Sequence, residues 1–152
     1  MADPNVELLA RVATALGDLR ERVTFVGGCA TALLITDPAA APVRVADAPS
    51  FIATKLEAFL DRGGGDYLSS HDLEDVLSVV DGRAELVAEL GRAPPELRAF
   101  VAQTLARLLG DQGFDNALPG LVIDASPAVR TPVVRERLRA IAAMCAGKEN
   151  GV

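Results

Sequence analysis

Residues 48–83 read APSFIATKLEAFLDRGGGDYLSSHDLEDVLSVVDGR, and the fold turns on how this stretch divides. In Ser50–Asp61, Ile52, Leu56, Phe59 and Leu60 recur at helical spacing and predict one apolar face. Ser50, after Pro49, supplies a hydroxyl that can cap the first turn. Lys55 and Glu57 fall off the stripe, with Lys55 close enough to its edge to reach a cleft. Gly63-Gly64-Gly65 ends this helix, because glycine is costly inside a helix and cheap in a left-handed turn.

A second helix is predicted from Ser69-Ser70-His71-Asp72. With Ser69 as N-cap, Asp72 takes the third helical position, where a carboxylate meets free amides and the positive end of the dipole. Leu73, Val76, Leu77 and Val80 make the apolar face, and Asp72 and Asp75 share a neighbouring one. A lysine on one helix and paired acids opening the next can converge on a polar ligand. The plainer alternative makes Asp72 a helix-terminus charge and Lys55 a solvated cation.

Working outward, Asp3-Pro4 starts a helix whose Leu8, Leu9, Val12, Leu16 and Leu19 form a stripe through about Arg20. Val23–Val26 is β-branched and aromatic and reads as a buried strand. Gly27-Gly28 follows it and leads into an apolar, helix-compatible run, Ala30–Ile35. Strand, Gly-Gly, helix suits a phosphate, since glycines allow close approach and the helix offers free amides. It is equally the pattern of a tight strand-to-helix turn. Val43–Val45 is a second short strand candidate.

Beyond the central pair, Arg83–Leu90 reads as a helix stopped by Gly91, and Pro94-Pro95 opens a long one. Leu97, Phe100, Val101, Thr104, Leu105 and Leu108 form the buried side of that long helix. A short turn follows around Phe114 and Leu118, compatible with a helix, and Leu121–Ile123 is a strand or an apolar plug. Thr131-Pro132 caps a last helix facing inward through Val134, Leu138, Ile141, Ala142 and Cys145, with Arg135, Glu136, Arg137 and Arg139 on its solvated side.

About six or seven helices with two or three short strands make a mainly α-helical α+β protein. The division is a 1–48 N-terminal part, a 49–147 helical part and a 148–152 tail, within one compact domain.

The 152 residues are half hydrophobic but include only five Phe and one Tyr, so Leu, Val and Ala must fill the core. A net charge of −6 with no basic stripe argues against binding a nucleic-acid backbone. Cys29 and Cys145 are distant and apolar in context, which predicts reduced, buried thiols. One histidine excludes a two-His metal site. No run approaches the ~20 apolar residues of a membrane span. MADPNVELL lacks a signal peptide's basic and apolar regions, so a cytoplasmic protein of bacterial type is expected.

FVGGCATALLITDPAAAPVR (25–44) and residues 48–83 together resemble the AbiEii-type nucleotidyltransferases, a DNA polymerase β-like family with many toxins of toxin–antitoxin pairs. The likeness extends through the C-terminal helices. It implies a remnant nucleotidyltransferase fold with a small sheet and a C-terminal helical bundle. It also implies nucleotide-phosphate contacts at Gly27 and Gly28, a nucleotide-contacting Lys55, and a site completed by Asp72 with Asp75 beside it. Its ligands would be a nucleoside triphosphate and Mg²⁺, and its partners an antitoxin-like protein or a second copy.

The chain departs from the family at the chemistry. Family members carry Asp-x-Asp on the second strand, yet Val43-Arg44 runs straight into Val45-Ala46-Asp47-Ala48-Pro49. Two-metal transfer needs those acids to hold its ions. The middle of the sheet looks excised between Arg44 and Asp47, so ordinary transferase activity is not expected, and uncovered apolar faces favour self-association. Three readings follow: an inactive transferase-like protein that at most binds a nucleotide, a helical interaction module without a small-molecule site, and an active transferase using Asp47, Asp72 and Asp75 as substitute ligands.

Overall fold

The computed structural model describes residues 11–21, 24–25, 44–62, 65–122 and 126–148. Thr24–Phe25 (β1) and Arg44–Val45 (β2) pair in parallel, Thr24 opposite Arg44 and Phe25 opposite Val45. Six α-helices follow: α1 Ala48–Asp61, α2 His71–Gly82, α3 Leu86–Arg92, α4 Pro95–Leu109, α5 Gln112–Leu121 and α6 Pro127–Ala142. A 3₁₀ turn, Ala143–Lys148, extends α6. The protein is mainly helical. Among the described residues the pairing covers two residues of each strand, too few to show the small sheet expected. The third strand candidate fails where it is described: Leu121 ends α5, and Val122 is a buried plug beyond it.

Local chemistry sets the helix boundaries, and several differ from the sequence reading. Asp47, rather than Ser50, caps α1: its Oδ1 accepts from the Ser50 amide at 2.8 Å. A carboxylate one residue before the helix reaches free amides that Ser50, already inside the first turn, cannot. Ser70, rather than Ser69, caps α2 through Oγ, which accepts from the Leu73 amide. Asp72 therefore stands second in the helix, still within reach of the dipole's positive end. The Phe114 turn is a full helix capped by Asp111, and it tolerates Pro119 inside. Helix α6 starts at Pro127 and takes Pro132 into its interior, so Thr131-Pro132 is no cap; Thr131 Oγ1 donates back to the Pro127 carbonyl. The third helix begins at Leu86 and carries Gly91 within it.

One apolar cluster runs from Ala48 to Ile141. Helix α1 packs on α2 and α4, α4 on α6, and α6 on α2, so α2 is gripped between both halves of the bundle. Phe51, Ile52, Leu56 and Phe59 of α1 meet Leu73, Val76, Leu77 and Val80 of α2 in this core. Each fully buried Leu or Phe contributes about 2 kcal/mol of transfer free energy.

Three apolar expectations are corrected. Leu60, at the end of α1 and the edge of its stripe, is 41% exposed. Val12 and Leu19 are exposed, while Ala13 is buried; Gly17, at φ 51°, breaks the helical phase ahead of Leu19. Cys145 is exposed, because the backbone tightens to 3₁₀ after Ala142 and rotates it away from the Ile141 face.

Candidate functional site

The sequence places Lys55 two turns before the end of α1 and Asp72 and Asp75 in the first turns of α2. Packing α1 on α2 brings all three together. Lys55 Nζ lies 2.9 Å from Asp72 Oδ1 and 2.7 Å from Asp75 Oδ2. Arg62, at the C-cap of α1, donates to the other Asp72 oxygen. The Asp72 side chain is 8% exposed and that of Lys55 14%, whereas Arg62 is 73% exposed. The lysine ammonium also lies 5.9 Å from the centroid of the Phe51 ring. Two cations thus meet two carboxylates, and the group is charge-balanced.

This balance decides the electrostatics. Burial acts to lower the Lys55 pKa, but hydrogen bonds to Asp75 and Asp72, with their charges, outweigh it and hold it above the usual 10.5. Lys55 therefore stays charged at neutral pH. Its charge is already directed at two acids.

Beside Asp72 lies a hollow of about 210 Å³, lined among others by Phe59, Arg62, Ser69, Ser70 and His71. His71 is fully exposed. Its Nδ1 is 2.8 Å from Glu74 Oε2, and this hydrogen bond, then the charge of Glu74, raises its pKa above 6.5. Ser70 is occupied as the N-cap, so Ser70, His71 and Asp72 do not form a nucleophilic relay. Phe59, which lines the hollow, stacks on Tyr67 at 6.0 Å, and Tyr67 meets Phe114 edge-on at 5.7 Å.

Among the described residues, the acids do not fit a Mg²⁺ centre. Both Asp72 oxygens are taken by cations, and Asp75 Oδ2 is taken by Lys55. Asp47, the third acid of the substitute-ligand reading, caps α1 eight residues before Lys55, about 12 Å along the helix. It lines a different cleft with Glu89, Arg92 and Pro94. Among the described residues no group of three or more His, Cys, Asp or Glu stands ready to hold a metal. Gly27, Gly28 and Cys29 lie outside the described residues.

No family model, curated protein or solved structure matches the chain. No helix among the described residues is long and apolar enough to cross a membrane.

Sequence reasoning missed Arg62 as a member of the cluster, although a cation at a helix C-terminus beside a glycine run is a readable signal. It also assigned Arg137 to a solvated face. Arg137 Nη1 instead donates to the Val80 carbonyl at 2.8 Å and to the Asp81 carbonyl, and Arg130 pairs with the Asp81 carboxylate. Arg135 likewise pairs with Asp115. These partners lie 20 to 57 positions away in sequence, so no local pattern announces them.

Proposed function

We propose that the chain is a nucleotidyltransferase-like protein of the AbiEii type without transferase activity, whose former nucleotide site now serves chiefly as an ionic clamp between α1 and α2. The observation that carries this reading is the convergence of Lys55, Asp72 and Asp75 within hydrogen-bonding distance. The resemblance implies a nucleotide site at Lys55 and Asp72 with Asp75 beside it, and their proximity supports the reading. The clamp assignment rests on the absence of Asp-x-Asp after the Gly-Gly element and on the commitment of the Asp72 oxygens to Lys55 and Arg62. A nucleoside triphosphate would have to compete with two carboxylates for Lys55, so any binding is weak.

The test is calorimetric titration with ATP, GTP, CTP and UTP in Mg²⁺, on wild type and Lys55→Met, with circular dichroism to confirm that the variant folds. Weak binding in wild type that disappears in a folded Lys55→Met supports a surviving nucleotide site. Heat identical in both proteins, or none in either, removes nucleotide binding from the proposal.

The second reading, a helical interaction module without a small-molecule site, is favoured by the charge balance itself, since Lys55 offers no unengaged charge to a ligand. Exposed Leu60, Leu68 and Val129 supply apolar surface for a protein partner or a second copy. Concentration-dependent stability would distinguish this reading as self-association.

A further inference from the structure

We draw no further inference here: the strongest candidate, the hollow of about 210 Å³ at the N-terminus of α2 beside Arg62 and His71, belongs to the site already described, and the described residues there include no buried, unpartnered polar group that would point to a ligand.

Discussion

At its first turns α2 offers carboxylates to cations, Asp72 and Asp75 to Lys55 and Arg62; at its last turn it offers the Val80 and Asp81 carbonyls, and the Asp81 carboxylate, to Arg130 and Arg137. Both arrangements suit the helix dipole, which favours anions at the N-terminus and cations at the C-terminus. They differ in depth and in origin. The N-terminal group is built from two adjacent helices and leaves the side chains of Lys55 and Asp72 only 14% and 8% exposed. The C-terminal group is delivered from α6, across the bundle, and its guanidinium groups are only partly buried. A buried charged group tolerates loss of its partner poorly, whereas a partly exposed one falls back on water. The two ends of one helix should therefore respond unequally to the same kind of substitution.

The largest effect is expected at the buried end. Asp72→Ala strips Arg62 of this partner and leaves the ammonium of Lys55 with Asp75 from this pair of acids. Because Lys55 keeps Asp75 and Arg62 is largely exposed, the cost is about 2 kcal/mol, between that of a surface pair and a fully buried one. Urea denaturation should show that loss as a lower midpoint with an unchanged slope. The companion Lys55→Met/Asp72→Leu double variant replaces the pair with apolar side chains but takes Lys55 from Asp75, so it should recover only part of the loss. A cost below about 1 kcal/mol for Asp72→Ala would mean that the cluster is as solvent-screened as a surface pair, and the contrast between the two ends would collapse.

At the other end, Arg137→Ala leaves the Val80 carbonyl to water and the Asp81 carbonyl to Arg130, so about 1 kcal/mol is expected. Amide exchange should locate the damage. Protection should fall in the last turn of α2 and stay unchanged around Leu73 and Val76, because the first turns have their own anchors. Equal loss of protection along the whole helix would show that the two ends are not independent.

How far each end could be read from sequence follows from the same difference. Lys55, Asp72 and Asp75 sit on neighbouring helices with clear 3.6-residue stripes, and those stripes dictate that α1 packs on α2, which brings the three together. Arg130 and Arg137 act over sequence separations of 49 and 57, through a helix whose own apolar pattern is interrupted by arginines and Pro132. Periodicity alone placed Arg137 in solvent and gave no position for Arg130. The cap positions were missed by one residue at α2, where two serines adjoin, and by three at α1, where an aspartate outcompetes a serine. Such choices depend on the angle at which the chain enters the helix, which tertiary packing sets.

Arg83, the C-cap of α2, extends the comparison through pH. Its guanidinium bonds both Glu89 oxygens at 2.7 Å, and this hydrogen bonding, against some burial, holds the Glu89 pKa below its ordinary 4.5. A depressed acid stabilises the fold above its unfolded pKa, and the gain is lost as pH falls through the folded value. The stability gap between wild type and Glu89→Gln should therefore be constant near neutrality and shrink between about pH 5 and pH 3. A gap that does not change across that interval would assign the effect of the substitution to packing.

The smallest expected effect belongs to His71, which faces solvent at the opposite end and has the reverse sign. Its hydrogen bond to Glu74, then the charge of Glu74, raises its pKa above 6.5, with smaller contributions from Asp75 and Asp72. Favourable interaction with His71 is fully present below the unfolded pKa and is lost as pH rises through the folded one. Being fully exposed, it should leave the denaturation midpoint almost untouched, so NMR titration of the imidazole is the better probe. Glu74→Gln should bring the His71 pKa down most of the way toward 6.5, and Asp72→Asn should move it less, because the latter carboxylate acts at a distance and is neutralised by Lys55 and Arg62. If Asp72→Asn shifted His71 as far as Glu74→Gln did, the negative charge of Asp72 would be reaching the solvent-exposed face of α2 uncompensated. The charge balance that separates this end of the helix from an open cation site would then be wrong.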